Sequence, residues 1–572
     1  MNELEFKIIR LISETEIQCH INDIKENLAS YDSESIVFAI NNLKRNGRII
    51  FSKKDTIELS DDYHIDFNEK LFVHQNGILI GYLGFSPYYG YEFAYDTNYL
   101  LRDEKPVIFS MPLEFKNTKQ TYIFSDFEEN IPEGLDKKIL MEKCGEASDF
   151  YLLEHNDYNA NDLIFSRDFE PHQEIKNLAP KIPYQEIKKE ILGNNTFPNI
   201  LDLDIQIDDK NLFVSHHSLT TRERAKEIRN MSLSGFQHKT AVVIENGIMR
   251  LPNGEKQENV YYFIKPYDKD KANPKSEPYL PHLAINEHLY MSFAKNELEF
   301  DVPYTAIFKR PLDAEFHFLI KYFDRKEGYK IHRKEFSTIM DIPSDKKYGT
   351  TSEKLFTATN EVLDESDRLR MLEYYFYSFI IKHEDMHTKN ISVLTSKDTT
   401  ILAPLYDIST TGIYKGFKQE SALSINGKFS NIKFNDFIIL AKKANINEDK
   451  FIEQANRILN IYIEKMPKYI EKLKDMNLPI YDNERLYSKT KQLYDVMKNH
   501  YEKRLNELKQ NGWFEALGVK LIDEVKYGSK FTENDLNSSP YYQKKNVINE
   551  KIDENKIESV EPETPNYPKF KL

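Results

Sequence analysis

The sequence predicts an α+β protein of several domains, with a β-rich N-terminal part and an all-helical C-terminal lobe. Three observations point there. The chain has 572 residues, well beyond the length at which one hydrophobic core stops growing. Between residues 66 and 130 apolar and polar positions alternate, as in Leu71-Phe72-Val73, Tyr91-Glu92-Phe93-Ala94-Tyr95 and Pro106-Val107-Ile108-Phe109-Ser110, which is the pattern of half-buried strands. After about Glu335 the helical period takes over, and Met371, Leu372, Tyr375, Phe376, Phe379 and Ile380 keep one apolar stripe over residues 368–381.

Composition removes several classes of function. Hydrophobic residues are 40% and aromatics 13% of the chain, enough for ordinary globular cores. A net charge of −14 argues against coating nucleic acid along the whole chain and leaves only local basic patches. The two cysteines, Cys19 and Cys144, are too few for a disulfide framework or a cysteine-rich zinc site, which fits a reducing cytoplasm. The first residues, Met1-Asn2-Glu3-Leu4-Glu5, have no basic leader character. No apolar run approaches the roughly 20 residues of a membrane span. The expectation is a cytoplasmic protein with no membrane partner.

Residues 1–60 read as a separate unit. Leu4, Ile8, Ile9 and Ile12 recur at helical spacing, a second helix starts near Ile21, and a third near Ser33 carries Ile36, Ala39, Ile40 and Leu43 before Asn46-Gly47 stops it. Two short strand-like runs follow, 48–51 and 56–59. Three helices and a hairpin resemble a winged helix-turn-helix. Residues 1–40 carry 3 Lys/Arg and 8 Asp/Glu, while 41–60 carry 5 and 2. The positive charge thus gathers at Lys44, Arg45, Arg48, Lys53 and Lys54, the candidate DNA contacts. A protein-contact role or a solvated edge is the equal alternative, because the unit as a whole is net acidic and steers DNA weakly.

Four segments carry chemistry. In Ser232-Leu233-Ser234-Gly235-Phe236-Gln237-His238-Lys239 a glycine among small polar residues lets backbone N–H groups approach phosphate oxygens, and Lys239 adds a point charge. Taken alone, such a stretch is more often just a turn. In Tyr261-Tyr262-Phe263-Ile264-Lys265-Pro266 a lysine leaves an aromatic strand, and Glu287 follows 22 residues later on a predicted helix over 283–294, the pairing that a phosphate-holding lysine uses. The sharpest is Lys382-His383-Glu384-Asp385-Met386-His387-Thr388-Lys389-Asn390, where Asp385 and Asn390 stand five apart. That interval lets one loop send a base to a substrate hydroxyl and an amide oxygen to a metal ion. Zinc fits less well, since His383, Asp385 and His387 lack a dependable fourth ligand. Last, in Pro404-Leu405-Tyr406-Asp407, Asp407 comes 17 residues after Asn390 and supplies the second oxygen ligand that Mg²⁺ prefers.

In this order the segments resemble the HipA family of kinases. The phosphate loop is Ser232, Gly235, Gln237 and Lys239. The strand lysine is Lys265, and the hinge is Phe323-Asp324-Arg325 behind Leu319-Ile320-Lys321-Tyr322. The catalytic loop is Asp385, His387, Lys389 and Asn390, and the Pro-x-Tyr-Asp segment is Pro404, Tyr406 and Asp407. The later Ala422-Leu423-Ser424-Ile425-Asn426-Gly427 and the β-rich region around Gly77–Leu83 and Ile131-Pro132-Glu133-Gly134 are similar as well. The resemblance runs from about residue 70 to about 450 and implies a protein-kinase-like bilobal fold. It places a β-rich N-terminal domain at 66–175, an N-lobe at 205–325 and a C-lobe at 326–525, between the winged helix read at 1–60 and a charged, flexible tail at 526–572.

The resemblance also implies a serine/threonine protein kinase using ATP and Mg²⁺. Asp385 would be the base or orienter, and Asn390 and Asp407 the metal ligands. The backbone of Ser234, Gly235, Phe236, Gln237, His238 and Lys239, together with Lys265, would face the phosphates. Lys321, Tyr322 and Phe323 would meet the adenine, with His387, Lys389 and Tyr406 lining the nucleotide site. Ser232 would be the autophosphorylated residue and Ser234 a second acceptor; a phosphate adds about −1.5 to −2 charge and would expel the loop. Partners in the family are a helix-turn-helix antitoxin on operator DNA and a protein substrate, an aminoacyl-tRNA synthetase for some members. This chain departs from the pattern in His238, Glu384, Met386 and the added N-terminal unit. The alternative reading is a DNA-binding transcriptional regulator whose kinase-like domain senses nucleotide without transfer.

Overall fold

The computed structural model describes residues 3–14, 19–52, 56–59, 69–75, 78–101, 117–131, 148–155, 163–169, 196–201, 239–251, 260–326, 329–396, 399–481 and 490–519, with residues 111, 113, 114, 137, 141 and 145 between them. The strand expected at 106–110, the phosphate loop from Ser232 to His238, Lys53, Lys54 and the tail at 526–572 lie outside the described residues.

The N-terminal unit has helices Glu3–Glu14, Ile21–Asn27 and Ser33–Arg45. The third begins where Asp32 accepts the Ser35 N–H at 2.8 Å, a side-chain cap that satisfies an otherwise orphaned donor. Its Ile36, Ala39, Ile40 and Leu43 are buried. The sheet beside it has three strands, in the order Cys19–His20, Thr56–Leu59, Ile49–Phe51. The sequence reading missed the first of these, which is two residues long and has no periodicity to read.

Arg48 requires a correction. It is fully buried, with Nη1 donating to the Tyr95 carbonyl at 2.5 Å and to Thr97 Oγ1 at 3.3 Å. It therefore cannot contact DNA. Its guanidinium crosses to the next sheet and ties residues 1–60 to it. Lys44 and Arg45 remain exposed.

That next sheet is antiparallel, in the order Thr118–Gln120, Gly90–Tyr95, Ile78–Ser86, Glu69–Gln75, Leu163–Ser166. A Cβ on Gly81 would lie 2.3 Å from the Ala94 carbonyl oxygen, so the close strand approach there admits only glycine. Leu43 and Ile57 share one hydrophobic cluster with Leu71, Phe93 and Phe127, and the two units form a single core.

A second antiparallel sheet runs Ile248–Arg250, Thr240–Glu245, Tyr262–Lys265, His317–Lys321, Thr305–Phe308. Helix Leu283–Asn296 covers one face, and Ala284 to Ala294 are all buried. The following lobe is mostly helical, with Ser352–Val362, Glu365–Ile380, Phe434–Lys443, Glu448–Glu471 and Leu493–Gln510. Its exceptions matter: strands His332–Glu335, Ser392–Ser396 and Thr399–Leu402 form a small sheet that brackets the polar loop at 382–391. No helix among the described residues is long and apolar enough to cross a membrane.

The two halves meet through polar groups. Lys334 Nζ donates to Asp126 Oδ1 at 2.7 Å with both side chains buried. Ser344 N–H donates to Glu128 Oε2 at 3.0 Å, and Glu129 Oε1 accepts from the Glu335 N–H at 2.9 Å and from Thr338 Oγ1. Burial, with Glu335 beside it, pushes the Glu129 carboxyl up to about 8.

The core of the helical lobe closes on Trp513, the sole tryptophan. Its ring centroid lies 5.4 Å from Phe376, 5.0 Å from Phe379 and 5.6 Å from Phe437, and its Nε1–H donates to the Ile432 carbonyl at 3.0 Å. Phe437→Ala should cost roughly 3–5 kcal/mol. Urea unfolding followed by Trp513 emission reads this directly; an unchanged midpoint would count against the packing.

Candidate active site

Lys265 is the last residue of its strand. Side chains alternate along a strand, so it shares the face of Phe263, which belongs to the same hydrophobic cluster as Ile285 and Leu289 of the covering helix. That alternation turns the ammonium toward Glu287, one turn into the same helix. Lys265 Nζ donates to Glu287 Oε1 at 2.7 Å and Oε2 at 3.0 Å, and to Asp407 Oδ1 at 2.6 Å. Burial alone would push the lysine pKa down, but Asp407 and Glu287 hold it above its ordinary value. Burial would also raise Asp407, yet Lys265 and Lys239 keep it well below the usual carboxylate range. Glu287 is pushed up to about 7 by burial, against the pull of Lys265 and with the charge of Asp407 adding to the rise. Asp407 itself has φ +54°, a left-handed conformation that a non-glycine residue adopts at a cost.

The polar loop begins where helix Glu365–Ile380 ends. His383 N–H donates to the Ser378 carbonyl at 2.9 Å and Lys382 N–H to the Phe379 carbonyl at 3.2 Å, with Lys382 at φ +56°. This pair of bonds around a left-handed residue stops the helix and reverses the chain into the loop. The loop then closes on itself, as Asn390 Nδ2 donates to the Asp385 carbonyl at 2.7 Å and His387 N–H to the same carbonyl at 2.9 Å. The Asp385 side chain stays 46% exposed. Its Oδ1 accepts from Tyr348 Oη and lies 3.6 Å from His387 Nε2.

His383 and His387 are both buried, and burial lowers both pKa values, that of His387 to about 4. The charges of Asp385 and Asp407 pull each of them back up. Both carboxylates therefore exert their charge on the same two rings. His383 Nδ1 donates to the Ser409 carbonyl at 2.7 Å, and His387 Nδ1 accepts the Lys389 N–H at 3.2 Å. Burial keeps both rings neutral, and backbone hydrogen bonds orient them. Among the described residues no three His, Cys, Asp or Glu side chains gather to hold a metal. The oxygens suited to Mg²⁺ are instead Asn390 Oδ1 and Asp407 Oδ2, neither of which accepts a hydrogen bond from a described residue. One carboxylate and one amide oxygen are what a phosphate-bound Mg²⁺ takes from protein.

Several expected nucleotide contacts are turned elsewhere. Lys389 Nζ donates to Ser344 Oγ at 2.9 Å and lies 3.4 Å from Glu335 Oε2. Tyr406 Oη donates to the Lys389 carbonyl at 2.9 Å and lies 2.6 Å from Ser392 Oγ. Both side chains brace the loop from behind. The N–H groups of Lys321 and Tyr322 are engaged by the carbonyls of Tyr304 and Tyr261, each within 2.9 Å. Among the described residues none accepts the Phe323 N–H, and the Phe323 ring lies 5.2 Å from that of Tyr406. Lys239 is half-buried and close enough for its charge to lower both Glu287 and Asp407. The sequence reading missed Tyr348, Glu335 and Ser344, which lie 34 to 47 residues before the loop begins at Lys382 and carry no local motif.

Residues 231–469 match the family described as HipA-like C-terminal domain. The chain carries a HipA-like C-terminal domain. HipA of the Shewanella oneidensis MR-1 toxin–antitoxin system, solved with HipB and operator DNA, aligns with a TM-score of 0.50 and 17% identity, over 80% of this chain and 100% of that one. At that identity the likeness is one of fold, and the fold is the bilobal HipA kinase-like one. A curated relative from Sinorhizobium fredii, named "Putative kinase Y4mE", is 20% identical over 259 residues, 43% of this chain and 58% of that protein. The chain thus spans a little over half the length of that relative. The Lys265, Asp385, Asn390 and Asp407 cluster lies wholly inside the HipA-like domain.

Lys265→Met would leave the Glu287 and Asp407 carboxylates facing each other. At pH 7.5 the loss of stability should be about 3–5 kcal/mol. The raised pKa of Glu287 means its neutral form is the comfortable one: that contribution is full below its ordinary value of 4.5 and is lost as pH rises through about 7. The penalty of Lys265→Met should therefore shrink at pH 5, where Glu287 takes a proton. Denaturant curves at the two pH values check this.

Proposed function

We propose that this chain is an ATP- and Mg²⁺-dependent protein kinase that phosphorylates a serine or threonine hydroxyl, acting as the toxin of a toxin–antitoxin pair. The observation that carries the reading is Lys265 bridging Glu287 and Asp407 beside a loop that presents Asp385 and Asn390. A lysine kept charged, a carboxylate kept ionised and a half-exposed base on one face are the parts that phosphoryl transfer needs, since its catalysis is positioning and charge stabilisation.

In this mechanism Lys265 and Lys239 hold phosphate oxygens of ATP. Asn390 and Asp407 would hold the metal ion. Bound Mg²⁺ would neutralise charge on the phosphate oxygens. Asp385 takes the proton of the acceptor hydroxyl as that oxygen bonds to the terminal phosphorus and the bond to ADP breaks. His387, neutral, points Nε2 toward Asp385 and steadies it. Ser232, with Ser234 as a second acceptor, is the proposed self-modification site; the added charge would repel the phosphates held by the same loop. By analogy with the Shewanella complex, the partners are a helix-turn-helix antitoxin and operator DNA. Lys44 and Arg45 are the candidate basic contacts that remain on the N-terminal unit. A cytosolic aminoacyl-tRNA synthetase is the substrate class by family analogy.

Incubation with γ-labelled ATP and Mg²⁺ tests the reading. Wild type should label itself or a lysate protein, and Asp385→Asn should reduce the rate roughly 100- to 10,000-fold. Asp407→Asn should raise the Mg²⁺ concentration needed for half-maximal rate. Equal labelling by wild type and Asp385→Asn, or none anywhere, overturns it.

A further inference from the structure

The loop carboxylate already carries a hydroxyl. Tyr348 Oη donates to Asp385 Oδ1, and the Tyr348 ring meets His387 edge-on with centroids 4.9 Å apart. The segment that leads into this tyrosine is anchored at two points. Lys389 Nζ donates to Ser344 Oγ at 2.9 Å and Thr388 Oγ1 to the Lys347 carbonyl at 3.1 Å. Ser344 N–H is in turn bonded to Glu128 of the N-terminal half at 3.0 Å. The anchors hold the backbone, while Tyr348 itself is 47% exposed and its ring rests on His387.

We propose that Tyr348 occupies the acceptor-hydroxyl position and gates access of protein substrates to Asp385. The proposal rests on the kinase reading and deepens it. A base must lie within hydrogen-bond reach of the hydroxyl it deprotonates, and the phenol meets that requirement at the carboxylate oxygen beside His387. A hydroxyl on an ionised carboxylate forms a charge-assisted bond, stronger than a neutral one. A serine or threonine hydroxyl, or a water molecule, that is to be activated at this oxygen, the one beside His387, must displace that bond. A folded acceptor segment can offset the cost with contacts elsewhere. Water cannot, so the gate favours transfer over hydrolysis. Through Ser344 and Glu128, docking of the N-terminal half fixes where the gate stands.

Tyr348→Phe removes only the hydroxyl, and Tyr348→Ala removes the ring as well. With dephosphorylated casein as the acceptor probe, both variants should lower the KM for casein roughly tenfold. Both should also raise ATP hydrolysis in the absence of casein by a similar factor, with the KM for ATP unchanged. The contact itself is read without catalysis by nitration with tetranitromethane and peptide mass spectrometry: Tyr348 should react faster in Asp385→Asn than in wild type. An unchanged casein KM with active wild type, a fall in kcat in Tyr348→Phe, or phosphate found on Tyr348 of wild type overturns the gate alone. Equal nitration in wild type and Asp385→Asn overturns the contact. Intact protection with no transfer to casein, water or the chain itself overturns the kinase reading, and the gate with it.

Discussion

One buried ammonium organises the kinase-like half of the molecule. Lys265 is 5% exposed, and an ammonium in such a place is tolerated only with partners that answer its charge. Its two partners come from two other elements: Glu287 from a buried helix, and Asp407 from a loop 142 residues further along the chain. Such a pair is a weak source of stability and a strong constraint on geometry, because any one member left alone is an uncompensated charge. The helix over the sheet is buried on every side from Ala284 to Ala294, so it cannot slide to relax the pair. Asp407 keeps a left-handed backbone in the same arrangement, and the electrostatic contact with Lys265 is what holds it there.

The second constraint is the polar seam between the two cores. Asp126, Glu128 and Glu129 sit on Lys334, Ser344, Thr338 and the Glu335 backbone. Glu335 and Ser344 then hold Lys389, whose backbone neighbours Asn390. A continuous path of hydrogen bonds and ion pairs thus runs from the N-terminal half to the catalytic loop. This seam connects the N-terminal half to the residues that brace the polar loop.

Much of the site could be read from the sequence because its parts are local. The spacing of Asp385 and Asn390, the lysine ending an aromatic strand, and Glu287 on the next helix are short-range patterns. Met371 to Ile380 likewise showed its helix, though the helix starts at Glu365, where Asp364 accepts the Asp367 N–H at 2.8 Å. What could not be read depends on distant partners. Arg48 looked like a basic surface residue until the Tyr95 carbonyl, 47 residues away, took its guanidinium. Lys389 and Tyr406 looked like ligand contacts because nothing near them in the chain shows that Glu335, Ser344 and Ser392 claim their polar atoms. Tyr348 has no motif at all; only the fold brings it to Asp385.

The most direct test of the account is a crystal structure with a non-hydrolysable ATP analogue and Mn²⁺ in place of Mg²⁺, with the metal located by its anomalous signal. The account predicts a peak bonded to both Asn390 Oδ1 and the Asp407 carboxylate, with Lys265 reaching the phosphates beside it. A metal held elsewhere, or a nucleotide bound away from the face shared by Asp385 and Asp407, would contradict it.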